Sequence, residues 1–183
     1  MKKYKTILID PPWDMKMTGL YKLRKLTPAR LVYPTMSLQE IAVLPINELS
    51  EVGCHLWLWT TNQFLPCGFD LMKAWGFKYH APIHWKKPGG CGNYFVHVTQ
   101  TLLFGYKERC IFNRDRYRPN WLETGLPKKH SQKPVESYEY IESISEEPRL
   151  EMFARAKRTG WDCWGNEVDC DINIETAALV EGK

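Results

Sequence analysis

The sequence lacks the features of a membrane-spanning or disulfide-stabilised protein. Its 183 residues contain no apolar run near the roughly 20 residues that a spanning helix requires. The six cysteines never occur at C-x-x-C spacing, which excludes paired zinc knuckles and a thioredoxin-like motif. We predict no metal site, no membrane association and a single cytoplasmic domain, residues 1–183, with reduced thiols.

Acidic residues are missing from two long stretches, 15–39 and 71–107, although each contains five lysines and arginines. Residues 1–133 hold 20 Lys and Arg against 9 Asp and Glu, whereas residues 134–183 hold 5 against 12. The first part therefore carries a formal charge of +11 and the second −7, which sum to the overall +4. This asymmetry favours a polyanionic partner such as nucleic acid, with a solvated basic surface as the alternative that charge alone leaves open.

Strand and helix patterns alternate along the chain. Strands are predicted at 5–9, 54–61, 77–85, 99–106 and 149–153, and helices from the capping box at Ser37, over 63–75 and from Pro134. Long connections without periodicity occupy 14–36 and 114–132. This alternation predicts an α/β fold with a mostly parallel sheet and a hairpin at one edge.

The first candidate site follows the first strand, where Asp10, Pro11, Pro12 and Trp13 occur in succession. Open α/β sheets bind ligands at the carboxyl ends of their strands. The Asp10 carboxylate and the Pro11 carbonyl are hydrogen-bond acceptors on a rigid turn, and Trp13 adds an aromatic face. Such a group suits a planar ligand with an amine, for example adenine, although an ordinary strand-ending turn has the same composition.

Six segments in this order resemble the MT-A70 family of adenine-N6 methyltransferases, which includes messenger-RNA methyltransferase subunits and bacterial and phage DNA-adenine enzymes. They are DPPW at 10–13, YPTMS at 33–37, LWLWTT at 56–61, HWKK at 84–87, HSQKPVE at 130–136 and EMFARAKRTGWDCWGNEV at 151–168. The resemblance covers nearly the whole chain. It implies a Rossmann-like class I methyltransferase fold with circularly permuted motif order, which explains why no G-x-G-x-x-G follows the first strand.

The resemblance also implies roles for individual residues. The tetrad Asp10, Pro11, Pro12 and Trp13 would be catalytic. S-adenosylmethionine would be bound by Asp10, Lys133, Phe153, Arg155, Asn166 and Glu167, with Lys133 pairing with the cofactor carboxylate near the positive end of the following helix. Tyr33, Trp85 and Lys87 would contact the substrate adenosine. Lys22, Arg24 and Lys25, in the first acid-free stretch, are predicted to contact phosphates.

The chain also departs from its larger relatives. After the Phe-x-Arg element it has Ala156, Lys157 and Arg158 in place of proline, histidine and asparagine, so ribose contacts from these positions are not expected. We interpret the chain as an adenine-N6 methyltransferase acting on DNA. Open alternatives are an RNA methyltransferase, a catalytically silent nucleic-acid-binding subunit and a methyltransferase for a protein amide, and the sequence leaves a homo-oligomer open.

Overall fold

The structure is a computed structural model that describes residues 2–14, 34–91, 94–112, 117–125 and 132–174. Seven strands are described: β1 (Tyr4–Ile9), β2 (Ser50–Thr60), β3 (Lys78–Cys91), β4 (His97–Tyr106), β5 (Trp121–Glu123), β6 (Arg149–Met152) and β7 (Asp162–Trp164). Four helices are described: α1 (Leu38–Ala42), α2 (Ile46–Leu49), α3 (Leu65–Ala74) and α4 (Glu136–Glu142).

The strands form one sheet in the order β5-β3-β4-β2-β1-β6-β7. Four neighbouring pairs are parallel, and the two pairs that include β4 are antiparallel. The chain goes from β1 to β2 on one side, whereas β6 and β7 extend the sheet on the other side of β1. The direction in which successive strands are added to the sheet therefore reverses at β1. In open α/β sheets such a reversal creates a ligand-binding crevice at the carboxyl ends of the strands.

The predicted α/β fold with a mostly parallel sheet is confirmed. The hairpin of β3 and β4 is also present, but it lies one strand inside the edge because β5 pairs with the outer side of β3. Strand β5 comes from the segment predicted as a connection, and its three residues are too short to produce a periodic pattern. Strand β7, which lies outside the predicted strands, pairs in parallel with β6.

Two buried clusters cover the two faces of the sheet. Alternation along β2 sends Leu56 and Leu58 to one cluster and Trp57 and Trp59 to the other. Helix α3 packs on the first face through Leu71 and Met72, and α4 packs on the second through Ile141. None of the described helices has the length and hydrophobicity that a membrane-spanning segment requires.

Candidate active site

The tetrad of residues 10–13, predicted to be catalytic, lies at the carboxyl edge, at the point where the strand order reverses. Asp10 directly follows Ile9, the last residue of β1, and Ile9 pairs with Leu58 of β2 on one side and Met152 of β6 on the other. Residues that follow β6 and β7 reach the same edge because these strands run parallel to β1. The structure thus places Asp10 at the position in the sheet where open α/β folds bind their ligands.

The Asp-Pro-Pro-Trp turn is held by backbone and aromatic contacts. The Trp13 N–H donates to the Pro11 carbonyl at 2.8 Å, and the Met36 N–H donates to the Pro12 carbonyl at 3.0 Å. The Trp13 indole N–H donates to the Trp59 carbonyl at 3.2 Å, and its ring stacks on Phe64 with centroids 5.0 Å apart. Trp13 is therefore buried and fixes the turn on the end of β2, whereas the sequence predicts an aromatic face offered to a ligand.

Lys133 and Asp10 form an ion pair, in which the Lys133 Nζ donates to Asp10 Oδ2. The Lys133 side chain is 10% exposed and that of Asp10 is 30% exposed, so both charges are only partly screened by water. Lys133 Nζ also lies 5.5 Å from the centroid of the Trp59 ring, within cation–π range. Among the described residues, the fully buried Trp59 Nε1 has no hydrogen-bond partner.

Glu151 is a further acid near the site, and the sequence interpretation missed it. Its register position opposite Leu8 on β1 places it on the sheet face covered by α4, where its Oε1 accepts a 2.7 Å hydrogen bond from the Tyr138 hydroxyl. Burial raises the pKa of the Glu151 carboxyl, and the negative charge of Asp10 raises it further. The Tyr138 hydrogen bond and the positive charges of Arg158 and Lys133 lower this pKa, but the net shift is upward.

The loops after β6 and β7 bring the predicted cofactor residues together. The Ala154 N–H donates to the Trp164 carbonyl at 3.0 Å, and Arg155 Nε lies 3.5 Å from Glu167 Oε1. A Cβ at Gly165 would lie 2.3 Å from the Ala154 carbonyl oxygen, so the two loops contact closely only because this residue has no side chain.

Two other predicted cofactor residues belong to these loops. Phe153, at a left-handed φ of 62°, packs its ring edge-on against Trp164 with centroids 5.3 Å apart. Asn166 is exposed, next to Glu167. The exposed polar groups of the second loop follow β7, so they lie at the same carboxyl edge of the sheet as Asp10.

The predicted substrate residues differ in their placement. Trp85 is buried, packs edge-on against Trp59 and donates its indole N–H to Thr124 Oγ1 at 2.9 Å, so it supports the site from the sheet face. Lys87 lines a cleft of about 320 Å³ at the carboxyl end of β3. The remaining predicted substrate residues, Tyr33, Lys22, Arg24 and Lys25, lie outside the described residues.

The fold divides the second acid-free stretch between the two edges of the sheet. Lys78 begins β3 and Lys107 follows β4, which places both at the amino edge, opposite the tetrad. Lys86 and Lys87, at the other end of β3, lie at the carboxyl edge. The stretch is therefore not one continuous basic surface.

The predicted role of the helix end requires a correction. Helix α4 begins at Glu136, not at Pro134, has seven residues and carries Glu136 and Glu139 in its first turn. These carboxylates offset the positive end of so short a helix. In the predicted role of Lys133, attraction for a cofactor carboxylate would therefore come from its ammonium group and not from the helix end.

Lys157 and Arg158 have other partners. Lys157 Nζ lies 2.9 Å from Asp171 Oδ1, and the Arg158 guanidinium lies 3.7 Å from the centroid of the Tyr138 ring. Both side chains are thus engaged by other groups of the protein. His80 and His84 have the four-residue spacing by which two histidines on a helix bind a metal ion. Both lie on strand β3, where this spacing separates them by about 13 Å along the chain, too far to share one ion.

The donor set at the carboxyl edge fits S-adenosylmethionine. The cofactor carries a carboxylate, which suits the Lys133 ammonium, and ribose hydroxyls and an adenine edge, which suit the exposed Asn166 amide and Glu167 carboxylate. The close contact at Gly165 fixes the loop that carries Asn166 and Glu167 against the loop after β6. A Rossmann-like α/β methyltransferase is the class of protein that this fold and site define.

Comparison with known proteins gives the family. The MT-A70 family model matches residues 4–167, so the chain belongs to the MT-A70 family. It is 30% identical over 200 residues to the Type II methyltransferase M.MunI of Mycoplasma sp, covering 98% of this chain and 84% of that protein.

Longer relatives match over only a part of their length. The N(6)-adenosine-methyltransferase catalytic subunit METTL3 of Homo sapiens is 27% identical, with 91% of this chain and 28% of that protein covered. A probable N(6)-adenosine-methyltransferase of Oryza sativa subsp. japonica is 28% identical, with 91% and 23% covered. The chain thus spans about a quarter of these two relatives and most of the Type II methyltransferase.

Proposed function

We propose that the chain transfers a methyl group from S-adenosylmethionine to the exocyclic N6 amine of adenine in DNA. The observation that carries the proposal is the position of Asp10, a partly exposed carboxylate at the point where the strand order reverses, held by Lys133. A base amine with two N–H groups complements acceptors placed at this turn.

Asp10 and Pro11 provide these acceptors. A carboxylate has about four lone-pair sites, so the bond from Lys133 to Oδ2 leaves Asp10 able to accept an N–H of the amine. The Pro11 carbonyl accepts the Trp13 N–H, and its second lone pair is left for the other N–H.

Accepting both hydrogens activates the amine. The N6 lone pair is delocalised into the adenine ring, and two acceptors favour the pyramidal geometry in which it is localised on nitrogen. The amine would become positively charged as its bond to the methyl carbon forms and the carbon–sulfur bond breaks, which leaves a neutral thioether. The Asp10 carboxylate would stabilise the charge on the amine until one N–H proton passes to water. Positioning and electrostatics supply the catalysis, without a covalent enzyme intermediate.

Bound S-adenosylmethionine would supply an electrophilic methyl group on its sulfonium. Lys133, Phe153, Arg155, Asn166 and Glu167 would hold it beside Asp10. Lys133 has three donors, so it can hold the Asp10 carboxylate and a cofactor carboxylate at the same time. Lys133 would then contact both the cofactor, which donates the methyl group, and Asp10, which accepts a hydrogen bond from the amine.

DNA is proposed over RNA because the similarity to a Type II methyltransferase extends over 84% of that protein's length. RNA is the second candidate, which the 27% identity to METTL3 supports. A duplex substrate would have to present a flipped adenine, at a cost of roughly a few kcal/mol. Cytoplasmic location stays a prediction.

A methylation assay tests this proposal. The purified chain is incubated with labelled S-adenosylmethionine and, in parallel, with unmethylated DNA, unmodified RNA and a protein extract. The nucleic acids are then digested to nucleosides and separated by mass. We expect label in N6-methyldeoxyadenosine from the DNA arm; label confined to RNA would replace DNA with the second candidate. Label on protein alone, or in no arm, would contradict nucleic-acid methylation.

A further inference from the structure

An exposed aromatic segment lies at the tip of the β3–β4 hairpin. Tyr94 is 97% exposed, Phe95 79% and Val96 63%, three large apolar side chains in succession. Solitary exposed apolar residues are ordinary, but a contiguous group marks an interaction surface. We refer to residues 94–96 as the hairpin tip.

The hairpin tip is fixed to the edge of the sheet that carries the tetrad. Strand β3 runs parallel to β5 and ends at the carboxyl edge, and Cys91 pairs with His97 where β4 begins. The His97 ring nitrogen Nδ1 lies 2.8 Å from the Asn62 side-chain nitrogen. Asn62 is two residues before Phe64, on which Trp13 stacks. A short series of contacts thus joins the tip to the catalytic turn.

The base of the hairpin is tightly packed. A Cβ at Gly90 would lie 2.3 Å from the His97 carbonyl oxygen, so the two arms approach more closely than any side chain would allow. The tip therefore projects from a narrow, defined base. Three strand spacings separate β3 from β1, or roughly 14 Å, comparable with the roughly 12 Å width of a DNA major groove.

The charge beside the tip identifies the partner. No acid occurs from residue 71 to 107, and Lys86 and Lys87 lie on the arm that leads to the tip. Lys86 pairs with Glu123 at 2.6 Å, whereas Lys87 has no ion pair among the described residues. Aromatic side chains beside a cation at an exposed edge form a surface on which bases stack and phosphates pair.

A second copy of the chain fits this surface less well. A two-fold contact would bring the same lysines together, and like charges oppose such an interface. Three exposed side chains also provide much less than the roughly 800 Å² per partner of a stable interface.

We propose that the hairpin tip is a wedge that stacks in the gap left by a flipped adenine, with Tyr94 and Phe95 as the stacking side chains. This inference rests on the proposed action on DNA. Insertion of the tip next to the vacated position would offset the lost stacking while the extruded adenine is held at Asp10.

The test uses a duplex that already contains the gap. Affinities of the purified chain are measured for a labelled 20-base-pair DNA duplex, and for the same duplex with one abasic site analogue at its centre. Wild type should bind the abasic duplex at least about fivefold more tightly, because the tip fills the gap without unstacking a base. Tyr94→Ala combined with Phe95→Ala should reduce this preference to about onefold.

Tyr117→Ala is the control, because Tyr117 is fully exposed and lies four residues before β5, outside the hairpin tip. It should keep the wild-type preference. Equal affinity of wild type for both duplexes, or an unchanged preference in the double variant, would overturn the wedge. The oligomeric state of wild type and of the double variant is measured by sedimentation. A wild-type dimer that the double variant does not form would assign the tip to self-association and overturn the proposal.

The result separates this inference from the proposed function. Methylation of DNA by wild type without an abasic preference would remove the wedge and leave the activity. An abasic preference that requires the tip, without methylation of DNA, would leave the surface and remove the activity.

Discussion

Lys133 Nζ donates to Asp10 Oδ2, although 123 positions separate the two residues in the sequence. One residue is the proposed acceptor for the substrate amine, and the other is the proposed partner of the cofactor carboxylate. The ion pair therefore couples the two halves of the site. Since the Lys133 side chain is 10% exposed and that of Asp10 is 30% exposed, removal of Lys133 would leave the Asp10 carboxylate partly desolvated and without its counter-charge.

We predict that Asn166→Ala weakens binding of S-adenosylmethionine by about 1 kcal/mol, the cost of a hydrogen bond to a neutral group. Lys133→Ala should cost more, because a charge-assisted contact is lost. Titration calorimetry with the cofactor measures both. Asn47→Ala is the control, since α2 places Asn47 at the amino end of β2. Unchanged affinity in both Asn166→Ala and Lys133→Ala would remove this pocket from the proposal.

Gly165→Ala tests whether the contact between the two loops shapes the pocket. The added Cβ would lie 2.3 Å from the Ala154 carbonyl oxygen, so the backbone after β6 or β7 must move. We expect destabilisation of about 1–3 kcal/mol, typical of overpacking, and at least about tenfold weaker cofactor binding.

Gly89→Ala is the matched control, because a Cβ there meets no atom within 4 Å. Chemical denaturation and cofactor calorimetry are run on both variants. If Gly165→Ala keeps the cofactor affinity of Gly89→Ala, the position of the loops does not determine binding.

The sequence predicted the parts of the site that local rules govern. Asp10 could be placed because a buried strand followed by two prolines must end there, and parallel strands bring their carboxyl ends together. The capping box at Ser37 is present, with both reciprocal hydrogen bonds formed.

Contacts between distant segments could not be predicted. The Glu151–Tyr138 hydrogen bond depends on how α4 packs across β6, which no periodicity specifies. The burial of Trp85 and Trp13 was likewise not predicted. A tryptophan occurs both in protein cores and in ligand sites, so the sequence alone does not distinguish the two positions.

His55 should make the stability depend on pH. It is 3% exposed, and burial lowers its pKa from 6.5 to about 4. The unfolded chain therefore binds a proton between these values that the folded chain does not, so stability is complete above pH 6.5 and falls as the pH decreases towards 4. The difference corresponds to on the order of 3 kcal/mol.

Denaturant unfolding at about pH 7 and at about pH 4.5 measures the decrease in the free energy of unfolding. These two pH values include most of the range between the unfolded and folded pKa values of His55. His55→Phe keeps an aromatic ring at the buried position and should flatten the dependence, while the exposed His97→Gln should leave it unchanged. An equal loss of stability in wild type and His55→Phe would show that other groups cause it.

The basic segment before Tyr33 should contact phosphates. Replacing Lys22, Arg24 and Lys25 together with glutamine should weaken nucleic-acid binding and reduce the slope of log K against log salt by about 2 to 3, if each contacts one phosphate. Cofactor affinity should not change.

The control for this triple replacement removes the same charge from the opposite edge, with glutamine at Lys73, Lys78 and Lys107. Lys78 and Lys107 lie where β3 begins and β4 ends, and Lys73 is in the last turn of α3. Equal slopes for the two triple variants would show that net charge, not contact, determines binding.

Asp10→Asn separates a catalytic role from a structural one most clearly. An asparagine retains one oxygen acceptor, so a turn-capping role would leave activity near wild type. In the proposed role, the amide has lost the negative charge that stabilises the methylated amine, and its NH2 group opposes the amine as a second donor. Removal of a comparable transition-state hydrogen bond costs roughly 2.7 to 4 kcal/mol, or about a hundred- to a thousandfold in rate.

Single-turnover methylation at saturating cofactor measures this effect, because it separates the chemical step from binding and product release. Asp14→Asn makes the same change at an exposed residue four positions later and should react as wild type does. Because the introduced amide oxygen would still accept a hydrogen bond from Lys133, the Asp10→Asn variant should fold, with a loss of about 1–3 kcal/mol from the weakened ion pair. A rate within about threefold of Asp14→Asn would show that Asp10 does not contact the reacting amine.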